Sequence, residues 1–333
     1  AMIYDGGAWP EKWRGPSWSF FLHEPTVWLS HHEFLDPTGV SYQGRREANR
    51  RETHFLRSTD YWFKPIHSRV GPDGAMYLVD FYNQIAVHND TRGPAHGARN
   101  AATRPDRNHT FTRLWRIQHR EASPLPPFNL DPRQPGRLVE MLDHPNGWVR
   151  TTANRLLSEG PGLRAIAALN AKAERARTPY GRLQALWVLH NLDALDDNLL
   201  VAAATDSDAV IRKTALRIAA ERDNSNAEAP LDLARERFLD SNARVRLTAL
   251  VAASTLRPTR GLADLIVEVW PALGDPHLET AALAVAAADP LLYLRAALAA
   301  KQPDLVLGLV PHLTRQIANQ RDASAARNTV IAI

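Results

Sequence analysis

His88, Asn89 and Asp90 offer a base, an amide and a carboxylate in one short run. Histidine titrates near neutral pH, so His88 suits removal of a hydroxyl proton while hydride leaves an alcohol carbon. The same polar stretch, between Phe81 and Phe111, carries Arg92, His96, Arg104, Asp106 and Arg107. A loop of about 30 residues inside a compact domain is either functional or disordered. Its charged groups suit an ion-pair network that orders the loop as well as they suit a substrate contact. His31 and His32 are neighbours in an expected strand, so their rings face opposite sides and cannot chelate one metal. The spacing of His88, His96 and His109 matches no metal-ligand motif. There is no cysteine, which excludes disulfides, thiolate zinc sites, iron–sulfur clusters and c-type haem attachment within this chain.

These residues sit in a front segment that reads as short strands. Ser17–His23 and Val27–Phe34 are rich in aromatic and β-branched residues, separated by Glu24-Pro25. Asp36-Pro37-Thr38-Gly39 reads as a turn, and Val40–Gln43 restarts a strand. Pro65–Val70 and Ala75–Asp80 flank Gly71-Pro72-Asp73-Gly74, a hairpin turn with glycine where positive φ is cheap. Thr112–His119 completes the set. Strands of this length and spacing indicate an all-β architecture. If Pro65–Val70 and Ala75–Asp80 pair as a hairpin, the turn lies at one end. Ser58–Lys64 and the segment after Asp80 then share the other. Asp60, Asp80 and Asn83 would converge there, joined by the His23-Glu24-Pro25 break.

After residue 120 the character changes. Residues 121–134 are proline-rich and read as a linker; from 135 to 333 Ala, Leu, Val and Arg recur at helical spacing. Asp143–Leu157, Asp206–Ala220 and Asp240–Ala253 superimpose, with Arg150, Arg212 and Arg246 in the equivalent place. Arg182 falls between the first two, and Asp275–Ala287 is a weaker copy with Glu279 there. A period of about 30–34 residues signals a helical solenoid, in which stacked pairs share one core. This pattern resembles HEAT repeats, and the resemblance implies that these Asp and Arg residues form a ladder between repeats. The expected fold is thus multidomain β + α, an all-β front (1–120) followed by an α-solenoid.

Residues 55–84 (FLRSTDYWFKPIHSRVGPDGAMYLVDFYNQ) and 88–120 (HNDTRGPAHGARNAATRPDRNHTFTRLWRIQHR) resemble a bacterial propeller family of planctomycetes and verrucomicrobia. That family is similar to glucose/sorbosone dehydrogenases, and its members carry a propeller, HEAT repeats and a c-type cytochrome segment. The resemblance implies a periplasmic or cell-surface quinoprotein-type dehydrogenase oxidising a sugar or polyol. It places Lys64 among the residues that hold the carboxylates of pyrroloquinoline quinone, with Ile66 and His67 where a second basic residue would stand. Calcium is implied in a full-length protein, and electrons would pass to a haem domain not present in this chain. The resemblance makes the all-β front (1–120) only the last blades of such a β-propeller, so the chain reads as part of a longer or split protein.

The alternative is a non-catalytic scaffold, with the sheet region or the helical surface binding polysaccharide or a protein partner. Nucleic acid is not expected: the formal charge is only +4, and residues 121–333 are charge-balanced. The opening residues show neither the charged n-region nor the apolar h-region of a signal peptide. No apolar run approaches the ~20 residues of a membrane span.

Overall fold

The computed structural model describes residues 1–84, 110–222 and 233–319. An antiparallel sheet region is followed by a helical region, as the two halves of the sequence predict. The first sheet contains β1 (Met2–Ile3), β2 (Trp18–Glu24), β3 (Leu29–Thr38) and β4 (Ser41–Arg45) in spatial order, with β5 (Leu56–Arg57) also paired to β3. The second contains β6 (Pro65–Val70), β7 (Met76–Asp80) and β8 (Arg113–Ile117) in order. β6 and β7 are joined at Gly71–Gly74, where Gly74 takes φ +74°, a conformation that glycine adopts without steric cost.

Two strand ends differ from expectation. β3 runs on to Thr38 and the chain turns at Gly39 and Val40, because Asp36 is engaged by Ser17 Oγ and by Arg45 Nε rather than closing its own turn. At the other end, Val27 and Trp28 belong to the turn after β2, where Trp28 takes φ +58°. The core of this region is aromatic: Trp9, Trp13 and Phe21 pack with Tyr4 and Met76. His32 lies among Trp13, Phe21 and Phe34, with ring centroids 4.7–4.8 Å apart. His31 faces the other way, toward Glu33 and His54, as strand alternation requires.

The helices are α1 (Pro135–Met141), α2 (Gly147–Ser158), α3 (Ile166–Arg175), α4 (Pro179–Asn191), α5 (Asp197–Ala204) and α6 (Ala209–Glu221). Then come α7 (Ala243–Ala253), α8 (Arg260–Val269), α9 (Pro276–Ala286), α10 (Pro290–Leu298), α11 (Pro303–Val306) and α12 (Val310–Asn319). Most begin on a capping side chain: Asn146, Thr178, Asp196, Asp208, Asn242, Thr259, Asp275 and Asp289 each accept from a first-turn amide. In chain order α3 packs on α4 and α5 on α6, while α4, α6, α7 and α9 pack successively on one another. No single described helix is long and apolar enough to cross a membrane.

The expected boundary at residues 121–134 moves. Residues 1–38 and 42–161 form one compact unit, and residues 162–333 with 39–41 form the other. The first helical pair therefore belongs to the sheet unit, for visible reasons. Asn146 Nδ2 donates to the carbonyls of Gly71 (2.9 Å) and Pro72 (3.1 Å) in the β6–β7 turn. Gly147 N donates to Asp5 O at 2.7 Å, and a Cβ on Gly147 would stand 2.2 Å from Asp5 Oδ2. Arg150 lies buried against the same carboxylate.

Of the arginines aligned in the sequence, Arg182 and Arg212 each reach an aspartate further along the chain. Arg212 donates to both Asp240 oxygens at 2.8 Å and to the carbonyls of Asp206 and Ser207. Arg182 reaches Asp206 in the same way. Arg150 takes its carboxylate from Asp5 instead, and Arg246 donates to the Asp240 carbonyl at 3.3 Å.

Candidate functional site

The end of the β6–β7 hairpin opposite the Gly71–Gly74 turn collects most of the described candidates. β6 starts beside the end of β7, with Pro65 opposite Asp80. Phe81 N donates to Lys64 O (2.8 Å) and Asn83 N to Trp62 O (3.0 Å), so the incoming and outgoing segments run side by side. The turn after β2 joins them: Ser58 N donates to Trp28 O at 3.1 Å, and the Trp28 and Tyr61 rings meet edge to face with centroids 4.7 Å apart. Ser58–Lys64, residues 81–83 and the turn after β2 thus lie together at this end, with Trp28 rather than His23 making the contact.

Asp80 is the buried anchor of this end. One oxygen accepts from Lys64 N (2.8 Å) and Tyr82 N (3.0 Å), the other from Arg113 Nε (2.7 Å) and Trp115 Nε1 (3.1 Å). A fully buried carboxylate with four donors has its hydrogen-bonding capacity filled and is committed to structure. Arg113 then stacks on Tyr82, 3.5 Å from guanidinium carbon to ring centroid, and reaches Asp60 at 3.5 Å. Asp60 Oδ1 accepts from Trp62 N at 3.0 Å. That amide, and Arg113 behind it, hold the Asp60 carboxyl below its ordinary range, so it is an anion at neutral pH. Beside it lies an open groove of about 420 Å³, lined by Leu56, Ser58, Phe63 and Trp115 together with Asp60 and Arg113.

Lys64 is only 3% exposed. Its ammonium donates to the Tyr61 carbonyl and lies 5.5 Å from the Trp28 ring centroid. Burial lowers its pKa, opposed by Asp60 and Asp80. His67 sits on β6, past a bulge, and accepts from Arg69 Nε at 3.0 Å. Pyrroloquinoline quinone carries carboxylates and needs cations presented to it. As placed, Lys64 donates within its own turn and His67 accepts from Arg69, so holding a carboxylate between them would require these contacts to be exchanged. Asn83 is buried and ties the outgoing segment to Trp62. His88, Asn89, Asp90, Arg92, His96, Arg104, Asp106 and Arg107 lie outside the described residues. Among the described residues no group of three His, Asp or Glu side chains could hold a metal ion.

His23 points between the two sheets, with Nδ1 2.9 Å from Ser30 Oγ and Nε2 2.6 Å from Ser68 Oγ. Burial, with help from the N-terminus and His67, drives its pKa down to about 4. It is a neutral bridge rather than a group at the mouth.

Sequence reasoning missed Trp28, Tyr61 and Arg113. Trp28 sat inside an expected strand, Tyr61 was one aromatic among several, and Arg113 was counted only as part of the final strand. The available signal was the dense run Tyr61-Trp62-Phe63-Lys64 directly before a strand, opposite a turn ending in tryptophan.

Fold and site together define a mixed β and α protein with an aromatic, charged cluster at one end of a three-stranded sheet. Residues 1–121 match the model of a family described as a domain of unknown function (DUF7133). No curated protein matches the chain. Among solved structures it is similar to an engineered protein at 16% identity and TM-score 0.35, covering 60% of this chain and 94% of that one. A superposition that loose bears on neither fold nor function.

Proposed function

We propose that the chain is a binding scaffold whose sheet unit holds a sugar or polyol at the Trp28–Tyr61 end. The observation that carries this reading is the Trp28–Tyr61 pair, with Tyr61 67% exposed, beside an ionised Asp60 fixed by Arg113. A sugar presents a C–H face and a ring of hydroxyls. Aromatic faces accept the first, while a carboxylate and a guanidinium bond the second. Such a site resembles others that fix a small ligand with a largely apolar lining and a few placed polar groups. On this reading the two sheets are neighbouring blades of a propeller, the helices form a HEAT-like solenoid, and the setting is periplasmic or cell-surface.

The test is calorimetric titration of the chain with a panel of monosaccharides, oligosaccharides and polyols. At least one should bind, and Trp28→Ala and Tyr61→Ala should each weaken it about tenfold, or about 1.4 kcal/mol. No binding across the panel, or binding indifferent to both substitutions, overturns the proposal.

The second reading is the quinone-dependent oxidation implied by the resemblance. In its favour, Lys64 does stand at this same end of the sheet. Pyrroloquinoline quinone would supply the hydride acceptor, and this chain's contribution would be to hold the sugar. Dye reduction by a full-length parent given the quinone and calcium, falling on Lys64→Met, would select this reading over simple binding.

A further inference from the structure

The helical unit carries a second surface, independent of the sugar site. Aligning Arg182, Arg212 and Arg246 by their equivalent sequence positions aligns one partly exposed stripe of each of α4, α6 and α7. Two residues earlier stand Tyr180, Val210 and Arg244; one residue later, Leu183, Lys213 and Leu247; five residues later, Trp187, Arg217 and Val251. Offsets of three and seven residues fall on one helix stripe. The three helices pack side by side, so three stripes lie next to one another.

This composition is unusual for a surface with nothing on it. Tyr180 is 39% exposed, Val210 43% and Val251 53%. Arg217 lies 5.5 Å from the Trp187 ring centroid. Lys213 is half-buried, and Arg217 and Arg244 are the charges that act on it, lowering its pKa together with burial. Among the described residues no carboxylate pairs with Lys213 or Arg217. Arg222 and Arg260 in the same unit do have acids, Asp197 and Asp264. Arg244 donates to the Ser41 carbonyl at 2.6 Å and adds charge at the margin. Glu221, at the far end of α6, is 4.0 Å from His190.

We infer that the stripe formed by Trp187, Val210, Lys213, Arg217 and Val251 is a docking face for a protein segment in which acidic side chains alternate with aliphatic ones. Charge complementarity selects the acids: the adjoining Lys213 and Arg217 repel one another until an anion is placed between them. The aliphatic and aromatic groups between them select a peptide. A nucleic acid presents closely spaced phosphates and is bound through rows of basic residues, whereas here aliphatic side chains interrupt the cations. Tryptophan and arginine are also the residues that dominate binding energy at protein interfaces.

The experiment is fluorescence anisotropy of the full chain with three labelled probes at physiological salt. These are a short peptide alternating Glu and Asp with Leu and Ala, its charge-reversed twin with Lys at every acid, and single-stranded DNA. The acidic peptide should bind tightest. Lys213→Glu with Arg217→Glu should weaken it at least tenfold and Trp187→Ala several-fold, while Lys301→Glu, on the α10–α11 connection, leaves it unchanged. Thermal melts of the variants should match the parent, since neither cation supports the core. The inference is overturned if the acidic peptide binds no tighter than its twin or the DNA. It is equally overturned if the double charge reversal leaves affinity unchanged, or if Lys301→Glu weakens binding as much.

Discussion

In the sheet unit one carboxylate, Asp80, collects donors from the start of β6, the segment after β7 and two positions on β8. In the helical unit the same work is divided: Arg182 reaches Asp206, Arg212 reaches Asp240, and each pair ties one helix turn to the next. Both solve the problem of charge out of contact with water, which demands partners wherever it occurs. The sheet does so once, at a point where several chain segments depend on it. The helices do so at separate points, so that each pair matters chiefly to the elements it joins. The lesson is that damage should spread differently in the two units.

The largest expected effect follows directly. Asp80→Ala strands Arg113, the Trp115 indole and two backbone amides, and should cost about 3–5 kcal/mol, lowering the melting temperature of the sheet unit by roughly 10 °C. Near-ultraviolet circular dichroism reads this well, because the tryptophans of the front core report on it. Arg212→Met should cost about 3 kcal/mol, with Arg182→Met costing less because that pair is more open to water. Hydrogen exchange should show the Arg212 loss confined to helices α5 to α7. Exchange accelerated evenly over the whole helical unit would break the contrast.

Third comes pH. The folded pKa of His23 is about 4, below its unfolded value of about 6.5, so the fold favours the neutral ring. Its contribution is therefore complete above about pH 6.5 and is lost as pH falls from there toward 4, by at most about 3 kcal/mol. His32, also near 4, acts in the same window. Denaturant titrations from pH 7 to 4 should show stability falling, and His23→Gln should remove about half of that slope. An unchanged slope would mean that the ring is not held neutral. The smallest effect is at a helix start: Asn242, which accepts from Arg244 N and Val245 N, should cost about 1 kcal/mol on replacement by Ala. Chemical denaturation would resolve it.

The two units also differed in how far residue spacing could disclose them. The Asp-to-Arg interval is local and recurs in the sequence, so Arg182 and Arg212 could be aligned by spacing, while their pairing with aspartate was implied only by the HEAT resemblance. The Gly71–Gly74 hairpin was legible for a similar reason, since its turn chemistry is contained in four residues. The aromatic end of the sheet was not, because Trp28, Tyr61 and Arg113 meet only after three separate turns have closed. Lys64 was placed at the right end of β6, but its burial depends on Trp28 lying over it and on the Tyr61 carbonyl within reach. Nothing near Lys64 in sequence reports the first of these. The move of the unit boundary to residue 161 likewise rests on Asp5, Gly147 and Arg150, residues far apart in the chain. The adjacent Gly6-Gly7 was the one local hint of close approach.

That junction has a consequence for where the chain can be divided. Asp5 accepts from Gly147 N and from Arg150, so a piece ending at residue 120 would lose both donors, whereas one ending at residue 161 keeps them.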